Sequence, residues 1–253
     1  MQRTDRLSAL VSRFALEVRS APCAEANLAV LRAADDSSAS RIVFSPPSGT
    51  KVELAHELCD SMQVVFSAKA SMGGHGNPLL RALPPVIDFV IDDDPDMQSL
   101  VSLLVAESQN ARCGAESVVN RLGEVLLVRL LRELLANGST DVGLLAGLAD
   151  ARLSRAIVAM HESPGRAWRI DDLATEAGMS TSRFAAHFAQ LVGQTPMSYL
   201  RHWRMALARQ DIDQGDRVQV VANRYGYAST EALSRAFRKH YGRSPLALRD
   251  HVA

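Results

Sequence analysis

Apolar side chains recur at helical spacing in several stretches of this chain. The clearest stretch covers 115–136, where leucines and valines stand at every third or fourth position and polar side chains fill the other face, which predicts a long amphipathic helix. Asp94 before Pro95 predicts the start of another helix that ends near Gln109, because aspartate caps helix starts and proline fits the first turn. Residues 6–19 also have helical spacing, so a further helix is expected there.

The rest of the first 90 residues has a shorter hydrophobic period. Segments 41–44, 51–54 and 62–66 are strand candidates, and breakers such as the Pro-Pro-Ser-Gly run at 46–49 separate them. We therefore predict an α+β first half, a small mixed region that is rich in strands at about 20–90 and helical at about 95–136.

The charge of the chain is divided unevenly between its two halves. The 253 residues carry 28 basic and 28 acidic side chains, so the formal net charge is zero. Residues 1–150 hold 13 basic and 19 acidic side chains, whereas 151–253 hold 15 basic and 9 acidic ones and five of the seven histidines. A polar break at 136–141 precedes this division. The sequence thus predicts an acidic domain over 1–136, a linker over 137–150 and a basic domain that faces a polyanion.

Cysteine content and hydropathy restrict the class of protein. The three cysteines are widely spaced, which favours a reducing cytoplasm over a disulfide scaffold or a zinc site. The first ten residues are not followed by the apolar stretch of a secretory signal, and no apolar run is long enough to span a membrane. A cytoplasmic protein with no membrane partner is therefore expected.

An internal repeat lies in the basic half. The stretches that begin at Leu173 and Val221 share an alanine, a glycine, a hydroxyl residue, two large apolar positions, and a final glycine and proline. The offset between them is 48 residues up to the first glycine and 49 afterwards. Two copies are too few for a solenoid, so the repeat indicates two small domains of one type.

Each copy has the pattern of a helix-turn-helix unit. A glycine, Gly178 or Gly226, stands where the chain turns between two helices and needs a positive φ. The side chains expected to cap the helices are Asp171, Ser180 and Ser229. Those expected to form the buried stripes are Phe184, Phe188 and Leu191 in the first copy and Leu233, Phe237 and Tyr241 in the second. We predict units at about 151–195 and 212–253, joined by a helix over 196–211.

The motifs of this half resemble those of the AraC/XylS transcription regulators. The matching residues are Ile170-Asp-Asp-Leu-Ala, Gly178-Met-Ser, Gly193-Gln-Thr-Pro196, Gly226-Tyr227, Ser234-Arg-Ala-Phe237 and Tyr241-Gly-Arg-Ser-Pro245. The resemblance implies an all-α domain whose two units enter successive major grooves on one face of double-stranded DNA. The segment 77–84 resembles the end of the cupin-like β-barrel that many of these regulators carry. A short cupin-like domain for sensing or dimerisation is therefore implied over 1–136.

The resemblance also implies the partners of the protein. They are double-stranded DNA, RNA polymerase and a second copy of the chain, and the resemblance allows for a small-molecule effector. No cofactor, catalytic residue or metal site is expected, so the function implied is that of a sequence-specific transcription regulator and not of an enzyme.

The same resemblance implies DNA-contacting roles for the outward side chains of the second helix in each unit. Base contacts would come from Ser182, Arg183 and Ala186 in the first unit and from Thr230, Glu231, Ser234 and Arg235 in the second. Phosphate contacts would come from His187, Arg238, Lys239 and Arg243. Arg235 is expected to matter most, since arginine pairs bidentately with guanine. An ion pair with Glu231, four residues earlier, is the alternative for Arg235.

Two other functions stay open from the residues. A cupin-type metal enzyme that carries a DNA-binding module would need clustered histidines, but only His56 and His75 precede the helices and they are nineteen residues apart. A dimerisation or anti-activator protein would have a first unit that no longer reads bases, and the alanines at 185 and 186 leave that unit few long side chains. The apolar face of the 115–136 helix fits either core packing or a dimer contact.

Overall fold

The computed structural model of the protein describes residues 5–14, 16–33, 41–47, 62–73, 77–91, 94–110, 112–137 and 142–249. The chain divides into two compact units. The N-terminal unit consists of Val11–His75 and Leu79–Asn137, and the C-terminal unit consists of Met1–Leu10, Gly76–Pro78 and Gly138–Ala253.

The described residues of the N-terminal unit form a five-stranded antiparallel sheet. Its strands are β1 Leu16–Ser20, β2 Leu28–Ala33, β3 Arg41–Phe44, β4 Met62–Met72 and β5 Ile87–Val90. They lie in the order β1-β4-β2-β3-β5. The strands predicted at 41–44 and 62–66 are confirmed, the second being longer than expected, and the one predicted at 51–54 lies outside the described residues. The α+β fold class, with a strand-rich first part followed by helices, is confirmed.

The helix expected over 6–19 is wrong in its second half. Helix α1 covers only Ser8–Arg13, and the chain then enters β1. In β1 only Val18 is buried, and it lies opposite Ala70 of β4. Pairing with β4 satisfies the backbone of this segment, and this tertiary constraint overrides an apolar spacing that suits either structure.

Two helices of the N-terminal unit form a hairpin beside the sheet. After the short helix α2 Pro78–Ala82, they are α3 Pro95–Gln109 and α4 Ala115–Asn137, close to their predicted bounds. Asp94 caps α3 as predicted, accepting a hydrogen bond of 2.9 Å from the Met97 amide. Arg129 of α4 pairs with the same carboxylate at 3.2 Å and so ties the two helices together. A Cβ on Gly123 would lie 2.5 Å from Cγ1 of Val18, so this glycine allows α4 to approach β1 closely.

The C-terminal unit is helical over its described residues. Its helices are α5 Leu144–Ala149, α6 Leu153–Glu162, α7 Ile170–Ala177, α8 Thr181–Val192, α9 Pro196–Asp213, α10 Val218–Arg224, α11 Thr230–Tyr241 and α12 Pro245–Arg249. Helices α7 with α8, and α10 with α11, are the two predicted helix-turn-helix pairs, whereas α5 and α6 were not predicted.

Helix α5 occupies part of the segment predicted to be a linker. The helix is buried, and Gly147 within it packs so closely that a Cβ would lie 2.7 Å from Val192 and 2.8 Å from Ile157. The guanidinium of Arg6 donates to the carbonyls of Leu148 and Ala149, at 2.9 and 3.2 Å, and so satisfies the end of the helix. Gly147 therefore permits α5 to pack closely against α6 and α8.

The turns of the two helix pairs have the expected backbone. Gly178 has a φ of 63° and Gly226 a φ of 72°, a conformation that glycine adopts at little cost. Ser229 accepts a hydrogen bond from the Ala232 amide at 3.2 Å, which confirms it as a cap. Ser180 stands at the N-cap of α8 as predicted, although its side chain makes no capping bond.

The cap expected at Asp171 is wrong. Helix α7 begins two residues earlier than that assignment requires, with Arg169 at the N-cap and its amide donating to Asp172 at 2.9 Å. Asp171 instead accepts a hydrogen bond of 2.7 Å from the hydroxyl of Thr181. Its carboxylate therefore holds the start of α8 against α7.

The predicted apolar stripes are buried with two differences. Phe184, Phe188, Leu233 and Phe237 are all fully buried. In α8 the next buried position is Val192 and not Leu191, which is only half-buried, because the stripe advances by four residues there. In α11 Tyr241 is half-buried and lies 4.7 Å from Phe237, measured between ring centroids.

Helix α9 is the central element of the C-terminal unit. It starts as predicted, with Thr195 accepting from the Ser198 amide at 3.3 Å and Pro196 in the first turn. Most of its length is buried, since α8 packs against it from the first pair and α10, α11 and α12 pack against it from the second. A helix that is apolar around most of its circumference is typical of the centre of a domain.

His161 of α6 is buried against α9. Its Nε2 lies 2.5 Å from the Tyr199 hydroxyl, and its ring stacks on Trp203 with a centroid distance of 4.0 Å. Burial lowers the pKa of His161 to about 3 and raises the pKa of Tyr199 above its ordinary value. The imidazole is therefore neutral in the folded unit at every pH at which DNA-binding proteins are normally studied.

We expect the free energy of unfolding of the C-terminal unit to fall as the pH is lowered from about 6.5 toward about 3. The unfolded chain takes up a proton on His161 near pH 6.5, whereas the folded imidazole resists protonation until the pH approaches 3. The stabilisation is fully present above pH 6.5 and is lost progressively below it. A single group of this kind gives a slope of at most about 1.4 kcal/mol per pH unit.

The matched variant is His161→Gln, which does not titrate but keeps a hydrogen-bonding group for Tyr199. Urea titrations followed by tryptophan fluorescence report on this unit, because both tryptophans of the chain, Trp168 and Trp203, lie in it. Between pH 4 and 6, the slope of the unfolding free energy against pH should be smaller in the variant than in the natural sequence. The difference should be about 1.4 kcal/mol per pH unit, the contribution of one proton. Equal slopes for the two proteins would contradict the assignment.

Candidate nucleic-acid interface

The outward face of α8 carries the residues predicted for base contact in the first unit. Ser182, Arg183 and Ala186 are all exposed, on the side of the helix opposite Phe184 and Phe188. Two of the three have short side chains. Arg183 is therefore the one long donor that α8 offers among the predicted base contacts, and Ala186 offers a methyl group of the kind that contacts thymine.

A cleft of about 530 Å³ lies beside this face of α8. Its walls come from the start of α6, the turn and α8, and its lining residues are Asp150, Ala151, Arg152, Met179, Arg183, Ala186, His187 and Gln190. Arg152 and Gln190 were not singled out from the sequence. Gln190 stands at helical spacing from Arg183 and Ala186, a signal that could have found it, but nothing local connects Arg152 with α8.

His187, predicted to contact phosphate, has a carboxylate partner. Its Nε2 lies 3.0 Å from Oδ2 of Asp150, whose Oδ1 also accepts from the amides of Arg152 and Leu153 at 2.8 Å each. Burial acts to raise the pKa of Asp150, but these amide bonds and His187 outweigh it and hold the pKa below its ordinary value. A phosphate contact by His187 would therefore require the ring to exchange Asp150 for the phosphate.

The outward face of α11 carries the base-contact residues predicted for the second unit. Glu231 and Arg235 are exposed, and Thr230 and Ser234 are half-exposed. The pKa of Glu231 is lowered mainly by the Ser229 hydroxyl, then by a backbone amide and the Thr230 hydroxyl, and least by the charge of Arg235. The carboxylate of Glu231 is thus satisfied by its own helix start.

Arg235 is the most available of the α11 side chains predicted to contact bases. Among the ion pairs formed by the described residues, none includes Arg235, so the alternative pairing with Glu231 is not formed. The side chain projects from an exposed position one turn after the helix start. Side chains in this part of a recognition helix are the ones that reach base edges.

The predicted phosphate contacts of the second unit lie together at the end of α11. Arg238, Lys239 and Arg243 are all exposed, the first two in the last turn of the helix and the third just after Gly242. Arg155 of the same unit donates to the Ala177 carbonyl at 2.8 Å, and Arg152, Arg201 and Arg217 are exposed elsewhere in the unit. Arg238, Lys239 and Arg243 therefore form one cluster of exposed positive charge at the end of α11, and further exposed arginines lie outside it.

Two further observations concern metal ions and membranes. Within the described ranges, no group of three or more His, Cys, Asp and Glu side chains could hold a metal ion, and both His56 and His75 lie outside those ranges. No helix of the described residues is long and apolar enough to cross a membrane.

Known proteins share both halves of this chain. A family model for a cupin matches residues 9–136, and one for a helix-turn-helix domain matches residues 173–251. The HTH-type transcriptional regulator AlkR of Acinetobacter baylyi is 31% identical over 188 residues, 72% of this chain and 61% of AlkR. The HTH-type transcriptional regulator MtrA of Neisseria gonorrhoeae is 32% identical over 185 residues, 72% of this chain and 60% of MtrA. The chain thus spans about three fifths of the length of these relatives.

A solved structure is similar to the C-terminal part. It is a transcriptional regulator from Chromobacterium violaceum of the kind that contains an AraC-type DNA-binding domain, 25% identical to this chain. The match covers 40% of this chain and 92% of that one, with a TM-score of 0.38.

Arg235→Ala should change which base pair is preferred at one position of a bound DNA site. Loss of a bidentate contact to guanine costs about 1–3 kcal/mol at that position and little at others. Binding to duplexes that carry each of the four base pairs at every position in turn measures this change. Unchanged preferences at all positions would contradict the role of Arg235.

Arg238→Ala is the matched control on the same helix, one turn nearer its end. It should weaken binding to all these duplexes by a common factor and lower the slope of log affinity against log salt by about one. A change of base preference in this variant, with an unchanged salt slope, would contradict its role as a phosphate contact.

Proposed function

This chain belongs to the AraC-type transcription regulators that carry an N-terminal cupin domain, and we propose that it regulates transcription by binding double-stranded DNA in a sequence-specific way. Two helix-turn-helix pairs in one compact unit, each with an exposed polar face on its second helix, are the observation that carries this proposal. In this role the protein would act in the cytoplasm, where its DNA lies, and would catalyse no reaction.

The dimensions of α9 support the reading of two successive major grooves. The helix has 18 residues, which corresponds to about 27 Å at 1.5 Å per residue. Successive major grooves on one face of DNA are about 34 Å apart. A stiff helix of this length, with a recognition helix packed near each end, has the scale that such a contact requires.

The two units contribute unequally in this proposal. The second unit supplies Arg235 for bases and Arg238, Lys239 and Arg243 for phosphates, all of them exposed. The first unit supplies Arg183 as its long donor, with Ser182 and Ala186 beside it. An exposed Arg183 favours a first unit that still reads bases, in contrast to the anti-activator alternative.

The N-terminal unit is proposed to dimerise the protein and to take up an effector. Val118 and Val125 of α4 are 40% and 49% exposed, and they stand seven residues apart with Leu122 between them, the spacing of a helix–helix seam. A separate cleft of about 490 Å³, lined by residues 20–23, 64–67 and 108–109, supports the binding of a small molecule. RNA polymerase is the further partner that transcription control requires.

Selection of tight-binding duplexes from a random DNA library by the full chain tests the proposed function directly. We expect a motif of two short elements whose centres lie about one helical turn, or 10 base pairs, apart. The same motif should mark the sites in a chromatin-binding map of the native cell. A selection that yields no motif, with only salt-sensitive binding to every duplex, would contradict the proposal.

Val125→Asp should convert a dimer into a monomer, because it places a charge in an apolar seam that is present twice across a two-fold axis. Analytical ultracentrifugation of the full chain measures the change. Val220→Asp is the control, since Val220 is also exposed, at 46%, but lies in the C-terminal unit. If both variants and the unsubstituted protein have the same sedimentation coefficient, the protein does not form a dimer through α4.

A further inference from the structure

The loop between α6 and α7, residues 163–169, lies against the turn of the second helix-turn-helix pair. We name it the bracing loop. A Cβ on Gly165 would lie 2.2 Å from the carbonyl oxygen of Arg224, and a Cβ on Gly226 would lie 2.5 Å from the carbonyl oxygen of Gly165. The two backbones therefore touch with no space for a methyl group. A segment of the first unit thus packs directly on the turn that precedes α11.

Arg204 of α9 fastens the bracing loop from the other side. Its Nε donates to the Pro164 carbonyl at 2.6 Å and its Nη2 donates to the Arg166 carbonyl at 2.7 Å. Burial of the side chain lowers the pKa of the guanidinium, but the charge is retained because arginine starts from so high a pKa. Two charge-assisted bonds from one planar group hold both flanks of Gly165 in place.

The bracing loop is also stiff in itself. Trp168 is buried, and its indole Nε1 donates to the Ser163 carbonyl at 2.9 Å. The guanidinium of Arg166 lies over the indole ring at 3.9 Å from its centroid, and the Trp168 amide donates to the Arg166 carbonyl at 2.8 Å. The loop is therefore closed on itself around one tryptophan, so it is rigid and keeps its conformation where it contacts the turn of the second pair.

Helix α9 also binds the residues that precede the turn of the second pair. Asp211, which is buried, accepts from the Arg224 guanidinium and from the Tyr225 hydroxyl at 2.5 Å each. Arg224 also donates to Asp216 at 2.6 Å, and these two carboxylates raise its pKa further. The residues that carry α11 are thus held by α9 on one side and by the bracing loop on the other.

We propose that the bracing loop sets the distance and rotation between the two recognition helices, α8 and α11, so that the protein accepts DNA only when its two elements have one separation. This inference rests on the proposed function. A helix alone would leave a joint between α9 and α10, where Gly215 has a φ of 99°. The contact of Gly165 with Gly226 and the bonds of Arg204 remove the freedom of that joint.

The consequence for DNA follows from the geometry of the double helix. One added base pair moves the second element by about 3.4 Å and rotates it by about 35° around the axis. Two units connected only through α9 could adjust to that movement by rotating about the backbone of residues 214–217. With the bracing loop in place, the same rotation would break the hydrogen bonds of Arg204 or separate the backbones of Gly165 and Gly226.

The test compares binding of the full chain to duplexes whose two selected elements have their original separation, one base pair less or one more. The original protein should lose about tenfold or more in affinity on either change, which corresponds to about 1.4 kcal/mol. Gly165→Ala and Arg204→Met should each bind the original duplex more weakly and reduce this tenfold preference to about threefold or less. Arg204→Lys, which keeps one donor toward the loop, should give an intermediate preference.

Gly147→Ala is the matched control. It adds the same methyl group to a crowded contact, but within the first unit, against Val192 and Ile157. Neither Gly147 nor Gly165 has a positive φ, so alanine fits the local backbone at both positions. The control should weaken binding to the three duplexes by a common factor and keep the preference for the original separation.

Three outcomes would overturn the inference. The original protein could bind all three separations equally, or the Gly165 and Arg204 variants could lose affinity with the spacing preference intact, which is the behaviour of a purely stabilising contact. Failure of the original protein to select any motif would overturn the proposed function itself, and it is seen before the spacing test begins. If tryptophan fluorescence shows that Gly165→Ala is unfolded, Arg204→Met decides the question.

Discussion

Helix α9 has to pack against two helix-turn-helix pairs at once, and the C-terminal unit depends on that constraint. Its first half contacts His161 and α8 through Tyr199 and Trp203, and its second half meets Arg224 and Tyr225 through Asp211. Arg201, His202 and Asp213 of this helix stay exposed. Other polar groups of the helix orient what packs on it, as Arg204 does by donating to two backbone carbonyls. Because both pairs pack on one helix, a displacement of one pair shifts α9 and with it the other pair.

The same constraint explains how the positive charge is distributed. A surplus of six basic side chains over 151–253 does not become a uniformly positive surface, because Arg155, Arg204 and Arg224 are bonded inside the unit. Other basic residues stay exposed, among them Arg183, Arg201 and Arg217 as well as those of α11. We expect phosphate contacts to supply the general attraction to DNA, and the predicted base contacts such as Arg235, with the arrangement of α8 and α11, to supply the choice of sequence. The zero net charge of the whole chain hides this arrangement, since residues 1–150 carry the opposite surplus.

The sequence predicted those parts of the fold that local chemistry decides. Glycines with positive φ and serine caps act within four residues of one another, so Gly178, Gly226 and Ser229 were found from the chain alone. Side chains whose role depends on a distant partner were not found. Gly165 and Gly226 are 61 residues apart, and Asp150 and His187 are 37 apart, and neither pair has a local pattern. The strand at 16–20 was missed for the same reason, since pairing with β4 and not local spacing decides its structure. The roles of the residues that face DNA are still predictions.

We propose that the two recognition helices act as one rigid surface toward DNA, and hydroxyl-radical footprinting of the full chain on a selected duplex tests this proposal most directly. We expect two protected patches on one face of the DNA, centred about 10 base pairs apart, that appear at the same protein concentration and disappear at the same salt concentration. A single patch, or two patches that fill at different protein concentrations, would show that the two helices do not act as one rigid surface.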